Sequence, residues 1–93
     1  VTHGGLVYCS GQIPLDPKTG QLVEGTIAQQ TERVMENMSA VLTAAGSALD
    51  RVLKTTIFLT AMSDFAEVNA AYGKYFAGAK PARSTVAVKE LPR

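Results

Sequence analysis

Residues 51–60 read RVLKTTIFLT, and the fold turns on how they are placed. Their spacing predicts the strongest strand of the chain. Leu53, Ile57 and Leu59 fall on one side of the pleat; Val52, Phe58 and the methyl groups of Thr56 and Thr60 fall on the other. A strand with one wet face alternates apolar and polar residues. Apolar groups on both sides therefore predict a central strand covered on both faces.

Upstream, Thr26-Ile27-Ala28-Gln29 has the spacing of a capping box, with Thr26 as N-cap and Gln29 reaching back from three residues on. A helix follows to about Ala45. Ile27, Val34, Met38, Val41, Leu42 and Ala45 recur on it as one apolar stripe, and Gly46 ends it. Gln30, Glu32, Arg33, Glu36 and Thr43 fill the opposite face, which reads as solvated. Downstream, Asp64 with Glu67 repeats the capping-box spacing. Phe65, Val68, Ala71, Tyr72, Tyr75 and Phe76 then make the stripe of a second helix, closed by Gly78 and Pro81. KPARSTVAV, residues 80–88, reads as a strand through β-branched Thr85, Val86 and Val88, with the charged Arg83 at its start.

Before the first helix, LVYCS at residues 6–10 reads as a short strand, and QIPL after Gly11 continues extended. DPKTG, residues 16–20, is a turn in which Pro17 presets φ and Gly20 supplies the exit. QLV then returns as a short strand beside the first. The order is β-β-α-β-α-β. Two helices cover one face of a four-stranded sheet, and the other face, only partly polar, is expected to be covered by a neighbouring subunit.

Composition agrees with that picture. Ninety-three residues make one small domain. Charged residues are 18% of the chain, below the usual level of about 25%, so an oligomer would hide part of the surface. Nine basic and eight acidic residues are spread without a basic run, which argues against nucleic acid as the main partner. The one cysteine, Cys9, makes no internal disulfide, so a reducing compartment, the cytoplasm, is expected. No apolar run approaches the roughly 20 residues of a membrane span, and no signal peptide is visible; the chain opens abruptly at VTHGG.

The usual catalytic constellations are absent. One histidine and one cysteine make no zinc site within a chain, and there is no GxSxG, P-loop or GxGxxG. His3, beside Gly4 and Gly5, reads as a flexible terminal residue, and Cys9, inside an apolar strand, as a buried small hydrophobe. What remains are polar residues at bends and strand ends. Ser10-Gly11-Gln12 sits where a strand meets a turn, and taken alone Ser10 is a turn residue. Asn69 lies mid-helix, where Asn is a mediocre helix former, and helical spacing sets it beside Phe65, Tyr72 and Gly73; its plain reading is a solvent-facing polar group. Arg83 offers planar paired donors that fit a carboxylate, and Pro81 stiffens its approach. Its plain reading is a rim charge.

Taken together, YCSGQIPLDPKTGQLV, TERVMENMSAVLTAAGS, LDRVLKTTIFLTAMSDFAEVNAAYGKYF and PARSTVAVKELP resemble the reactive-intermediate deaminase family, also called RidA or YjgF. The resemblance runs from about Gly5 to Pro92. The SGQ bend, DFxxVNxxY and PARSxVxVxxLP are each modest signals, and in this order they are specific. The resemblance implies an α+β, chorismate-mutase-like fold and a homotrimer with clefts between subunits. It implies hydrolysis of reactive enamines and imines, such as 2-aminoacrylate and 2-iminobutanoate, to 2-keto acids and ammonia, with no metal or organic cofactor. By the same resemblance Arg83 grips the substrate carboxylate and is the catalytic candidate, Ser10 and Asn69 line the cleft, and Thr85 offers backbone groups where many members carry Cys.

Members of the family ordinarily begin with a further stretch that includes a strand and a cleft-lining aromatic. They continue past LP into a last strand whose glutamate activates water. Neither has a match within residues 1–93, and Glu90, which precedes LP, is not assigned that role. The expectation is therefore one family domain without its first and last strands, from a partial or divergent sequence. An alternative from another class is a non-catalytic trimer that binds small carboxylates and regulates a partner. Ribonuclease activity has little support, for want of a basic groove or a histidine pair.

Overall fold

The computed structural model describes residues 1–78 and 80–92. Its elements are β1 (Thr2–His3), β2 (Leu6–Val7), α1 (Ile27–Ala44), β3 (Lys54–Leu59), α2 (Phe65–Gly73) and β4 (Ala82–Ala87), with 3₁₀ turns at Leu49–Arg51, Met62–Asp64 and Lys74–Phe76, and from α1 onward they follow the expected order. The sheet departs from expectation. The strands form two separate pairs, β1 with β2 and β3 with β4, rather than one four-stranded sheet.

The second pair organises the molecule. β3 and β4 run parallel in the register Lys54↔Ala82 to Leu59↔Ala87. Two bonds carry the ladder past its ends, Ala82 N–H to Leu53 O (3.0 Å) and Val88 N–H to Leu59 O (2.7 Å). Parallel strands need a long connection, and here it contains α2, which makes a strand–helix–strand unit. Along β3, Thr55, Ile57 and Leu59 are half-buried, while Lys54, Thr56 and Phe58 are exposed. The face assignment at the start of the strand is reversed from expectation: Val52 packs on the core and Leu53 is 70% exposed. The cause is the 3₁₀ turn at Leu49–Arg51, which delivers the chain out of phase with the pleat. Within one chain the outer face of this pair stays open, with Phe58 54% exposed.

α1 begins as its sequence dictates. Thr26 Oγ1 accepts the Gln29 N–H at 3.1 Å, and Gln29 Oε1 accepts the Thr26 N–H at 2.9 Å. It ends at Gly46, whose φ of +81° only glycine takes up without strain. The buried stripe is rotated from the expected one. Met35, absent from the predicted set, and Leu42 are buried; Ile27, Val34 and Met38 are half-buried; Val41 and Ala45 are exposed. Met35, Tyr72 and Phe76 form the core, with Met38, Leu49, Val52, Ile57 and Tyr75 packed around them. The supposedly solvated face is partly engaged: the Tyr75 hydroxyl donates to Glu36 (3.0 Å), and Lys74 pairs with Glu32 (3.7 Å).

α2 does not start with the predicted capping box. Asp64 makes no cap bond because the turn at Met62–Asp64 already has it in a helical conformation, whereas an N-cap must be extended. Glu67 serves the other helix instead, its Oε2 accepting the Ala28 N–H of the first turn of α1 at 3.0 Å. There it satisfies an orphan donor and sits at the favourable end of the helix dipole.

The N-terminal region also differs from expectation. β2 is two residues long and pairs with β1, not with residues 21–23. Gly4 and Gly5, both at positive φ, make the tight turn between them. The Val1 and Tyr8 backbones bond reciprocally beyond them. The turn at residues 16–20 forms as predicted, but it returns Leu22 beside Leu15. With the strand ending at Val7, Cys9 is exposed, not buried. His3 is exposed within β1. Among the described residues no helix is long and apolar enough to cross a membrane.

Candidate functional site

The site grows out of the β3–α2–β4 unit. Pro81 cannot donate to a ladder, so pairing begins at Ala82, and Arg83 is the second residue of β4. The register sets Arg83 opposite Thr55 and Thr85 opposite Ile57. Thr55 and Ile57 belong to the half-buried side of β3, the side that meets the helices. On α2, Asn69 stands one turn from both Phe65 and Tyr72.

These placements converge. Arg83 Nη1 donates to Asn69 Oδ1 in a short hydrogen bond. The guanidinium carbon lies 5.4 Å from the centroid of the Phe65 ring and 5.2 Å from that of Tyr72, within cation–π range of both. The Tyr72 and Thr55 hydroxyls are 2.7 Å apart, so Tyr72 is tied to the residue directly across from Arg83. Arg83 is thus no free rim charge, and Asn69, although exposed, is no idle polar group. An amide and two aromatic faces hold one plane of the guanidinium and leave its remaining donors available. Asn69 and Tyr72, with Arg83, border a cleft of about 400 Å³, whose walls also include Phe76, Pro81 and Lys80. Among the described residues, no Asp or Glu lines it.

The other two predicted residues fare differently. Thr85 lies two residues beyond Arg83, and its hydroxyl oxygen is buried without a hydrogen-bond partner among the described residues. Ser10 is exposed on the N-terminal arm and is not among the residues around Arg83; its carbonyl accepts the Gln12 side-chain amide at 3.3 Å. The bend that follows it opens onto a second cleft of about 420 Å³, between residues 11–17 and the Arg33–Val41 side of α1. Among the described residues no cluster of His, Cys, Asp and Glu has the makings of a metal site.

Phe65 and Tyr72 were legible as neighbours of Asn69, but only as parts of an apolar stripe. Thr55 and Lys80 carried no signal of their own. Thr55 joins through strand register, which a single sequence does not print.

The profile of the family described as Endoribonuclease L-PSP matches residues 1–93. Protein DfrA of Myxococcus xanthus is 55% identical over 93 residues, which are all of this chain and 71% of that protein. The 2-iminobutanoate/2-iminopropanoate deaminase of Mus musculus is 44% identical over 87 residues, covering 94% of this chain and 64% of the mouse protein. Among solved structures, RidA from the Antarctic bacterium Psychrobacter superposes with a TM-score of 0.94 at 42% identity, over 100% of this chain and 75% of that one. The chain therefore spans roughly two-thirds to three-quarters of the length of these relatives.

Proposed function

The chain belongs to the Endoribonuclease L-PSP family, the family of the Rid proteins, and on that premise we propose that it hydrolyses reactive 2-imino and 2-enamino acids to 2-keto acids and ammonia. The observation that carries the reading is the clamped guanidinium of Arg83 beside an open cleft. A guanidinium held by an amide and flanked by two aromatic rings keeps donors free as a restrained fork, and a carboxylate is a small anion that matches such a fork.

The chemistry asks little more of the protein. A protonated imine already has an electrophilic carbon. Water adds to it, a proton moves to nitrogen, the C–N bond breaks, and ammonia leaves a 2-keto acid. Anchoring the substrate carboxylate turns a chance encounter into an oriented one. Asn69 orients the guanidinium. β4 has β3 as its only ladder partner among the described residues, which leaves its other edge open, and on this reading the backbone at Thr85 contacts the same ligand.

The reading includes a homotrimer. Leu53, Phe58 and Val86 stand exposed around the outer face of β3 and β4, and a neighbouring copy is the natural cover. Ser10, remote from Arg83 within one chain, then reaches the cleft from across a subunit boundary. The exposed thiol of Cys9 suits a reducing compartment such as the cytoplasm.

A coupled assay of ammonia release from 2-iminopropanoate, generated in situ, tests the reading. Arg83→Ala is expected to abolish turnover while leaving assembly intact. Arg83→Lys keeps the charge, loses the fork, and should forfeit part of the roughly 1.5–3 kcal/mol that a charge-assisted contact to the carboxylate is worth. Wild-type rates in the alanine variant would refute the anchoring role. Carboxylate binding without any ammonia release in the wild type would point to a binding protein instead.

A further inference from the structure

The cleft at Arg83 holds a second cation for which imine hydrolysis has no use. Lys80 lines it alongside Arg83, and among the described residues no carboxylate does. Two lysines of the neighbouring elements, Lys74 and Lys54, are engaged elsewhere. Lys74 pairs with Glu32, and Lys54 donates to the Thr55 carbonyl and the Ser84 hydroxyl. Lys80 has no such partner among the described residues. Pro81 follows directly, and a residue before proline is confined to extended backbone, so the lysine stem starts from a restrained point.

Two positive side chains on one cleft repel each other, and a ligand with two negative groups relieves that repulsion. A ligand with one carboxylate satisfies Arg83 and leaves the ammonium of Lys80 unmatched. Phe76 and Pro81 share the cleft with the two cations and offer apolar surface to a short methylene spacer. A volume of about 400 Å³ also falls within the range of small-ligand pockets, more space than a four-carbon acid fills.

We propose that the cleft selects 2-imino and 2-keto dicarboxylates, with Arg83 taking the carboxylate next to the reacting carbon and Lys80 the distal one. The inference rests on the reading of Arg83 given above and adds Lys80 as the residue that sets substrate class.

Calorimetric titration of the full chain with 2-oxoglutarate and with 2-oxobutanoate tests it, in the wild type and in Lys80→Gln, Lys80→Arg and Arg83→Ala. The wild type should bind the dicarboxylate about three- to fivefold more tightly, the scale of one exposed ion pair. The preference should shrink as salt is raised. Lys80→Gln should erase it, costing 2-oxoglutarate more affinity than 2-oxobutanoate, and Lys80→Arg should retain it. Equal binding of the two acids by the wild type, or an equal loss of both in Lys80→Gln, overturns the proposal. If 2-oxobutanoate binds and Arg83→Ala abolishes that binding, the anchoring role stands whatever Lys80 does. If the folded wild type binds neither acid, the reading of Arg83 fails and this proposal fails with it.

Discussion

The β3–α2–β4 unit and the N-terminal arm of residues 1–25 are built on different principles. In the first, side chains from three elements lock together: Thr55 to Tyr72, Tyr72 and Phe65 to Arg83, Arg83 to Asn69. In the second, order comes from backbone turns. The Gly4-Gly5 hairpin and the turn at residues 16–20 each close on themselves, and hydrogen bonds tie the arm to α1 through two side chains: the Asn37 amide donates to the carbonyls of Ile13 (3.3 Å) and Leu15 (2.8 Å), and the Gln30 amide to that of Gly25 (3.5 Å). The difference explains the fate of the predicted site. Asn69, Arg83 and Thr85 all lie in the interlocked unit, where register and helical period preset their positions. Ser10 lies in the arm, where nothing within the chain carries it to Arg83.

The sharpest way to break this contrast is Phe76→Ala. Phe76 is 3% exposed, and its ring centre lies 4.8 Å from that of Tyr72. Truncating a buried phenylalanine costs about 3–5 kcal/mol, much of the stability of a small domain. Denaturant unfolding should show that loss, and binding of keto acids should disappear with it because Tyr72 supports Arg83. A variant that kept full carboxylate affinity would mean that the site does not depend on this core.

Asn37→Ala is the counterpart for the arm. It leaves the Leu15 carbonyl without its donor, while that of Ile13 keeps the Leu15 N–H, a cost of about 1–3 kcal/mol that should fall on the arm rather than on the whole molecule. Hydrogen exchange should quicken at residues 15–23 while β3 and β4 keep their protection. Uniform quickening along the chain would show that the two regions open as one unit.

How much of this was legible in the sequence follows the same division. Helical period and capping chemistry are local, so α1, its Thr26–Gln29 box, Gly46 and the α2 stripe were readable, as was the position of Asn69 beside Phe65 and Tyr72. Pairing is not local. Nothing in LVYCS or QLV specified that Leu22 would turn back on Leu15 and that Leu6–Val7 would pair with Thr2–His3. Met35 was overlooked because the stripe was traced through Val34 and Val41, and which flank of α1 becomes the core is decided by where α2 packs. Glu67 was matched to Asp64 by spacing alone, whereas its carboxylate found a donor on another helix. Arg83 was singled out by chemistry and resemblance, but its clamp by two rings required the parallel register of β3 with β4.

A smaller test sits inside the interlocked unit. Thr55→Val keeps the shape and removes the hydroxyl that partners Tyr72, at a cost of about 0.5–1.5 kcal/mol. If that bond serves mainly to steady the ring beneath Arg83, affinity for 2-oxobutanoate should fall, and Thr55→Ser should restore it. Loss of stability with unchanged affinity would make the bond purely structural.

The smallest expected effect is one of pH, and it belongs to the contact between α1 and the 3₁₀ turn after α2. Burial, and next the hydrogen bond that Tyr75 donates to Glu36, raise the Tyr75 hydroxyl above its ordinary value of 10.0. The protonated form is therefore favoured by folding. The stability this contributes is present in full below the unfolded value and is lost as pH rises from there through the folded value, because the native state then holds a proton that the unfolded chain has released. Tyr75 is only half-buried, so solvent screens the effect and the loss should be a few tenths of a kcal/mol. Comparing denaturant midpoints at neutral and strongly alkaline pH for the wild type and Tyr75→Phe isolates it: the wild type should lose more than the variant. Equal losses would assign the alkaline sensitivity to other groups and leave the Tyr75–Glu36 contact as a neutral join between the two helical segments.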